Sequence, residues 1–67
     1  MSVAKVIEIS AESTASFEDA VRQGIERAAS SVDHVTGAWV KSQKVDVKDG
    51  NIVGYRVDLK VTFMLNE

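Results

Sequence analysis

Oxygen-bearing side chains are the groups of this chain best suited to chemistry, and one set of them lies in or after the predicted C-terminal hairpin. Calcium binds roughly six to eight hard oxygen ligands, and the side chains that could supply them are Asp46, Asp49, Asn51, Asp58, Asn66 and Glu67. The run from Asp46 to Asn51 lacks the alternating ligands and the closing glutamate of a calcium loop, which favours a solvated turn. We take Asp58 and, more weakly, Asp46 as candidate metal ligands. The alternative for Asp58 is an ion pair with Lys41.

Groups suited to catalysis are scarce. The chain has no cysteine, so it offers no thiol nucleophile. His34 is the single histidine, and its place at the predicted helix exit favours a capping or exposed role over that of a general base. Helix capping explains the serines more simply than nucleophilic catalysis does; they are Ser13, Ser16, Ser30 and Ser31. The chain is therefore predicted not to be an enzyme.

Size and charge restrict the partners. The 67 residues carry a net charge of −2, and basic and acidic residues are interspersed, which argues against nucleic acid and anionic membrane surfaces. No apolar run is long enough to span a bilayer or resembles a signal peptide, so a cytoplasmic location is expected. A domain this small buries only ~60% of its unfolded surface. Without disulfides, self-association is the expected source of extra stability.

The N-terminal half is predicted to form a strand and a helix. A run of residue types common in strands, with apolar residues at both odd and even positions, predicts a strand over 3–10. Ser16 and Asp19 have the spacing of a capping box, and apolar residues then recur at three- and four-residue steps. These signals predict an amphipathic helix over 16–32. Gly24 inside that helix is expected to mark a close approach to a neighbouring strand.

The C-terminal half is predicted to be a β-hairpin with strands over 35–48 and 52–65. Either Asp49-Gly50 or Gly50-Asn51 supplies a tight turn, because these residue types tolerate positive φ. Strict alternation from residue 55 to 65 places the odd positions against the helix. The whole chain, residues 1–67, is thus one α+β domain in the order β-α-β-β.

A two-residue loop at Asp49-Gly50 also sets the pairing of the two strands. It places Val40 opposite Leu59 on the face that covers the helix. On the other face, strand 35–48 is predicted to pair with strand 52–65 as follows: Gly37 with Thr62, Trp39 with Lys60, Lys41 with Asp58 and Gln43 with Arg56.

Beyond Gln43 the hydrophobic pattern changes parity. With uninterrupted pairing, Val45, Val47 and Ile52 fall on the face turned away from the helix. A β-bulge would restore the parity. A contact with a second subunit would instead cover these side chains, because the hairpin arm is about twice as long as the helix. Both interpretations remain open at this stage.

Taken together, these segments resemble the dodecin family. The residues that carry the resemblance run without a gap along nearly the whole chain: Lys5-Val6-Ile7, Ser13-x-x-Ser16-Phe17, Ala20, Ile25-Glu26-Arg27-Ala28, Val32-Asp33-x-Val35, Val40, Tyr55 and Val61-x-Phe63-x-Leu65. The resemblance implies a three-stranded antiparallel sheet wrapped around one amphipathic helix. It also implies assembly into a hollow homododecamer.

The resemblance identifies two positions for flavin contacts. Family members that bind flavin hold isoalloxazine rings between tryptophans of two subunits, and a glutamine on the last strand bonds to the ring edge. Here those positions are Gly37 and Arg56. Glycine has no aromatic surface and arginine has no acceptor, which argues against flavin. Trp39, the only tryptophan, lies on the same predicted face as Gly37, with Gln43 predicted opposite Arg56.

Three functions follow from this resemblance. Part of the family lacks the flavin aromatic residue and is described as binding calcium, so the first hypothesis is a non-catalytic homododecamer that stores or buffers a small ligand or ion, with calcium or another cation as candidate. The second is a flavin-binding dodecin with a pocket remodelled around Trp39. The third is a structural assembly with no specific ligand. The candidate subunit-contact residues are Trp39, Val45, Val47 and Ile52.

Overall fold

The computed structural model describes residues 2–65 and has one helix and three strands. The elements are β1 (Ala4–Ser13), α1 (Phe17–Ser31), β2 (Val35–Lys48) and β3 (Asn51–Met64). The sheet order is β1-β3-β2, and both neighbouring pairs are antiparallel. The predicted α+β fold, a three-stranded antiparallel sheet with one helix, is confirmed. We call the side of the sheet that packs on α1 the core face and the other side the open face.

Strand β1 extends three residues beyond the predicted end at residue 10. Ala11 pairs with Val57 and Ser13 with Tyr55, so the polar end of β1 continues the ladder with β3. The correction has a simple cause. Pairing with a neighbouring strand and burial on one face outweigh the low strand preference of small polar residues.

Ser16 caps the helix as predicted, but the capping box is not reciprocal. The Ser16 hydroxyl accepts a hydrogen bond from the Asp19 backbone N–H at 3.0 Å. The Asp19 carboxylate accepts from the buried Ser13 hydroxyl at 2.6 Å, and Ser13 in turn accepts from the Ala15 N–H at 2.9 Å. The hydrogen bond from Ser13, followed by that from Gln23, lowers the pKa of Asp19 below its ordinary value. The turn between β1 and α1 is thus held by its own polar groups.

The core lies between α1 and the central strand β3. Its buried apolar residues are Ala20, Ala28, Val57, Leu59 and Val61. Helix and sheet approach closely at Gly24, as predicted: a Cβ there would lie 2.8 Å from Leu59 Cδ1 and 3.2 Å from the Ala11 Cβ. Only glycine therefore permits this spacing without a shift of the neighbours.

The hairpin turns at Asp49-Gly50, whose φ angles of 51° and 78° are both positive. This conformation matches the right-handed twist of the flanking strands. The predicted pairing is confirmed near the helix, where Val40 lies opposite Leu59 and Trp39 opposite Lys60.

A β-bulge at Lys41 changes the pairing in the rest of the hairpin. The register shifts between Val40 and Ser42, so Lys41 has no partner. Ser42 then lies opposite Asp58, and Gln43 lies opposite the buried Val57. The predicted pairs of Lys41 with Asp58 and of Gln43 with Arg56 are therefore wrong, because an unpaired residue moves every later side chain to the other face.

The bulge removes the predicted change of parity. Val45 lies opposite Tyr55 on the core face, and Val47 shares that face two residues further along β2. A second shift between Asp46 and Val47 leaves Val53 unpaired and sets Val47 opposite Ile52. The prediction that Val45, Val47 and Ile52 turn away from the helix side is thus wrong, and the bulge is the correct alternative.

The end of the hairpin nevertheless lacks a cover within the described chain. β1 ends opposite Tyr55, and α1 begins at Phe17, whose ring packs edge-on against Tyr55 with centroids 5.1 Å apart. We call residues 46–54, which project beyond this point, the hairpin tip. Three aliphatic side chains of the tip are about half exposed: Val47 at 60%, Ile52 at 53% and Val53 at 49%. The resulting molecule is elongated, with extents of 52 × 19 × 13 Å.

Candidate functional site on the open face

Three rows of polar side chains cross the open face of the sheet. They arise because the even-numbered residues of β1 and β3 point away from the helix. On β2, Trp39 shares this face before the bulge at Lys41, and the bulge brings Ser42 and Lys44 onto it. In strand order β1, β3, β2, the rows are Glu8–Lys60–Trp39, Ser10–Asp58–Ser42 and Glu12–Arg56–Lys44.

Asp58 lies at the centre of these rows and links all three strands. Its carboxylate accepts a hydrogen bond from Ser10 Oγ at 2.6 Å and from Ser42 Oγ at 2.7 Å. These two bonds lower the pKa of Asp58, partial burial opposes them, and the charges of Lys41 and Arg56 add to the lowering. Asp58 is therefore held as a carboxylate over a wider pH range than an ordinary aspartate.

Lys41, the bulged residue, does not form the predicted ion pair with Asp58. Its ammonium lies 3.1 Å from the carboxylate of Glu8 and thus reaches across the central strand from β2 to β1. Both side chains are about half exposed, so this pair contributes little to stability by itself. Its consequence is positional, because it leaves the Asp58 carboxylate to the two serines.

Arg56 is occupied by two carboxylates of its own chain. Its guanidinium donates to Glu12 through Nε at 2.7 Å and through a terminal nitrogen, and Asp46 lies 3.9 Å away on the other side. The hydrogen bond and the charge of Glu12, followed by the charge of Asp46, raise the pKa of Arg56 above its ordinary value. Lys44 lies 3.9 Å from the same Asp46 carboxylate. This end of the open face is thus a network of paired charges.

The two candidate metal ligands are not brought together within the chain. Asp46 lies opposite Gly54, and Asp58 is four residues further along β3, which places the two rows ~13 Å apart with Arg56 between them. Within residues 2–65, no group of three or more acidic, histidine or cysteine side chains is placed to hold a metal ion. The other candidates, Asn66 and Glu67, lie outside the described residues. A calcium ion therefore does not fit the ligands that a single described chain provides.

Trp39 stands beside an opening on the same face. Its side chain is 54% exposed, and the ammonium of Lys60 lies 6.0 Å from the centre of its ring, a cation–π distance. A Cβ built at Gly37, one row further along, would meet no atom within 4 Å. Thr62 lies opposite Gly37 on β3. The open face thus has free space next to the indole.

Three of the four predicted pocket residues share the open face, but they do not form one pocket within a chain. Gly37 and Arg56 lie six residues of β3 apart, or ~20 Å along the strand. Gln43 is on the core face, so its predicted position beside Arg56 is wrong. One ligand can touch the positions of Gly37 and Arg56 only if different subunits supply them.

Sequence reasoning missed the residues of β1 that complete the open face. Ser10 bonds to Asp58 and Glu12 to Arg56, yet the predicted strand ended at residue 10. The signal was the alternation of Glu8, Ser10 and Glu12 with the apolar residues between them, which extends the strand pattern past its predicted end.

The residues considered for catalysis have structural surroundings. Ser30 and Ser31 donate hydrogen bonds to the carbonyl oxygen of Arg27 in the last turn of α1, at 2.7 and 3.4 Å. His34 is exposed at the helix exit with a φ of 64°, and its carbonyl accepts from the Met64 N–H at 3.0 Å.

No helix in residues 2–65 has the length and apolar character needed to cross a bilayer.

A family model described as Dodecin matches residues 3–66, nearly the whole sequence. The chain belongs to the dodecin family. This dodecin is 38% identical over 65 residues to calcium dodecin of Mycobacterium tuberculosis (strain ATCC 25618 / H37Rv), a match that covers 97% of this chain and 92% of the relative. The family predicted from the order and spacing of the residues is therefore confirmed.

Solved structures support the same assignment. The dodecin from Streptomyces davaonensis superposes with a TM-score of 0.93 at 29% identity, covering 98% of this chain and 97% of that one. A crystal structure of calcium dodecin from M. tuberculosis is described as that of a calcium-chelating immunodominant antigen with a novel calcium-binding site. It superposes with a TM-score of 0.82 at 38% identity, covering 96% of this chain and 91% of that one. Of these two, the M. tuberculosis protein is nearer in sequence and the Streptomyces protein is nearer in backbone.

Proposed function

We propose that this dodecin is a non-catalytic homododecamer that stores or buffers a small ligand or ion and has lost the usual flavin site. One observation on the open face carries the proposal. Of the two positions that the family uses for flavin, Gly37 has no side chain, and the guanidinium of Arg56 is held by Glu12 and Asp46. Neither position offers an isoalloxazine ring the contacts it needs.

The energetic argument against flavin has two parts. Each aromatic stack lost at Gly37 removes ~1 kcal/mol beyond the area buried. Arg56 would have to leave Glu12 to reach a ligand, and it would still provide only donors, whereas an amide provides a donor and an acceptor. Both changes weaken the binding of flavin, so their effects add if different subunits bring the two positions to one site.

Calcium is the ion that the sequence relationship favours, since the relative at 38% identity is named calcium dodecin. The ligands that residues 2–65 of one chain bring together do not suffice, so we assign any cation to a position between copies. Asp58 is the best donor for it. Two serine hydroxyls occupy two of the roughly four lone-pair positions of its carboxylate, which leaves the others free for an ion. Asp46 is the weaker donor because Arg56 and Lys44 flank it.

Assembly is part of the proposal because one subunit leaves much apolar surface exposed. Among the candidate contact residues, Trp39, Val47 and Ile52 are each more than half exposed, and Val45 is partly buried at the base of the tip. Apolar side chains clustered at a projecting tip mark a contact surface more often than an isolated exposed residue does. The partner that we propose is a further copy of the chain.

A flavin pocket remodelled around Trp39 is the second candidate. It is favoured by the half-exposed indole beside the open space at Gly37. Against it stands the ammonium of Lys60, which lies over the indole ring. In this alternative Trp39→Ala abolishes flavin binding and leaves the assembly intact.

Two titrations distinguish the candidates. Riboflavin and its phosphate are titrated with the protein while flavin fluorescence is followed, and calcium chloride is titrated calorimetrically into protein stripped with a chelator. We expect no flavin quenching, together with calcium uptake that Asp58→Asn weakens. Submicromolar flavin quenching would contradict the proposal and support the pocket at Trp39. No uptake of calcium, with a melting temperature that the chelator leaves unchanged, would favour an assembly without a specific ligand.

A further inference from the structure

The hairpin tip combines an apolar surface with two opposite charges at its end. Val47, Ile52 and Val53 are each about half exposed. At the turn, Lys48 and Asp49 are adjacent and exposed, and neither has an oppositely charged partner within 4 Å among residues 2–65. The tip therefore presents groups that its own chain does not satisfy.

A groove between α1 and β1 has the matching character. Its volume is ≈ 790 Å³, and its apolar lining consists of Ile7, Ile9, Ala11, Gly24 and Ala28. Small residues on the helix give the groove its depth. On its rim Glu26 and Arg27 are adjacent and exposed, and within the described part of the chain neither forms an ion pair.

The tip cannot fill the groove of its own chain. Ile9 in the groove pairs with Leu59, whereas Ile52 lies ~23 Å further along β3 and beyond the end of β1. Both strands of the hairpin are continuous over this length apart from the bulges, so the tip points away from its own helix. Any occupant of the groove must come from another molecule.

We propose that the hairpin tip of one copy packs into the groove between α1 and β1 of a second copy. The aliphatic side chains of the tip cover the apolar floor, and Lys48 and Asp49 lie against Glu26 and Arg27 of the neighbour. The proposal rests on the proposed self-association and adds to it the two surfaces that meet. Because they differ, the contact is heterologous, and its repetition gives a ring if the rotation closes.

The dimensions and charges agree with this contact. The groove runs along α1 from Gly24 to Ser31, ~10 Å, and three residues of a strand at the tip span about the same length. When the tip enters the groove in one direction, Lys48 faces Glu26 and Asp49 faces Arg27, so each pair combines opposite charges. The reverse direction sets like charges against each other, so the charges select one orientation.

Crosslinking tests the contact directly, because the natural chain has no cysteine. Ile52→Cys on the tip is combined with Ser31→Cys in the groove and treated with a short bismaleimide. We expect a ladder of covalent oligomers from the double variant and no crosslinks from either single variant. The matched control combines Ile52→Cys with Thr62→Cys on the open face and is expected to give none. Dimers from Ile52→Cys alone indicate a contact between two tips and overturn the proposal, as does an uncrosslinked double variant.

Charge reversal provides an independent test by analytical ultracentrifugation. Lys48→Glu is expected to raise the protein concentration at which the assembly dissociates by about tenfold, and adding Glu26→Lys is expected to recover most of the loss. As a control, Glu18→Lys makes on α1, outside the groove, the same charge change as Glu26→Lys. It is expected to have little effect on the concentration at which the assembly dissociates. Circular dichroism shows that each variant is folded. If Lys48→Glu assembles as the natural chain does, the inference fails while the proposed function stands; if the natural chain is monomeric, the proposed function fails.

Discussion

Ser42 on β2 faces Asp58 on β3, and its hydroxyl donates to the carboxylate at 2.7 Å. This relationship exists only because Lys41 is left unpaired, since uninterrupted pairing would set Lys41 opposite Asp58. Ser10 donates to the same carboxylate from β1. One ionised side chain thus links the three strands of the sheet, which makes the sheet sensitive to its protonation.

We expect acid to weaken the fold through Asp58. Its pKa in the folded chain is below the ordinary value of ~3.9, so its contribution to stability is fully present above that value and is lost as the pH falls through the folded pKa. Unfolding by urea at fixed protein concentration, from about pH 7 down to about pH 2, measures the effect. The urea concentration at the unfolding midpoint is expected to decrease as the pH is lowered below about 4. Asp58→Asn is expected to remove part of this decrease.

The double variant Ser10→Ala/Ser42→Ala is the control for this pH dependence. It keeps the carboxylate but removes both hydrogen bonds, so the pKa of Asp58 should return toward its ordinary value, as followed by carboxyl NMR. Asp19 retains its bonds from Ser13 and Gln23 in every variant and keeps its own share of the acid sensitivity. An Asp58→Asn curve with the full acid sensitivity of the natural chain would contradict the prediction.

Glycine at position 24 is expected to be required by packing. Alanine is the better helix former by ~1 kcal/mol, but its Cβ at this position would lie 2.8 Å from Leu59 Cδ1, and overpacking costs about 1–3 kcal/mol. Gly24→Ala should therefore lower the free energy of unfolding despite the gain in helix preference. Gly37→Ala is the matched control, because no atom lies within 4 Å of the added Cβ, and it should change the stability by less than about 0.5 kcal/mol. Equal effects of the two substitutions would show that packing at Gly24 is unimportant.

Most of the fold was predictable because its signals are local and periodic. Ser16 marked the helix start, alternation marked β3, and the pair Val40–Leu59 followed from the two-residue turn. The bulge at Lys41 could be considered but not located, because a hydrophobic period of two cannot show which residue lacks a partner. The extension of β1 to Ser13 depends on a ladder with β3, a partner distant in the sequence.

The helix cap should contribute measurably to stability. Ser16 accepts the Asp19 N–H at 3.0 Å, and removing a serine N-cap costs ~1 kcal/mol, within about 0.5–2 kcal/mol. Ser16→Ala should lower the free energy of unfolding by that amount in a urea titration. Thr14→Ala in the same turn is the control, since its side chain forms no hydrogen bond within the described residues. A Ser16→Ala variant as stable as Thr14→Ala would mean that the cap is replaced by water.

Restoring the two family residue types is expected to restore flavin binding. Gly37→Trp places an indole where no neighbour obstructs the Cβ, and Arg56→Gln supplies both a donor and an acceptor. With stacking worth ~1 kcal/mol for the one contact that each ligand gains, the double variant should bind riboflavin at least about fivefold more tightly than the natural chain. Quenching of flavin fluorescence measures the affinity.

The single variants and Trp39→Ala serve as controls for this experiment. Each single change should give a partial gain, and Trp39→Ala added to the double variant should leave the restored binding in place. Loss of binding on that addition would place the flavin site at Trp39. A double variant that fails to bind, with the natural chain binding flavin well, would contradict the assignment of Gly37 and Arg56 as the lost contacts.

The candidate site was less predictable than the fold because its residues come from three strands. Gly37 and Arg56 could be assigned by family resemblance, but Gln43 was placed on the wrong face by one unpaired residue. Ser10 could not be linked to Asp58 from sequence, because their contact joins residues that are far apart in the chain. The exposed tip was predicted as a contact surface, although Val47 and Ile52 lie on the core face and project beyond the helix.

Native mass spectrometry of the untreated protein tests the central claim most directly, because it reports the subunit count and the bound mass together. We predict the mass of twelve 7.3 kDa chains with a small added mass that a chelator removes, and no flavin. A monomeric mass at micromolar concentration, or a dodecamer that carries flavin, would contradict the account.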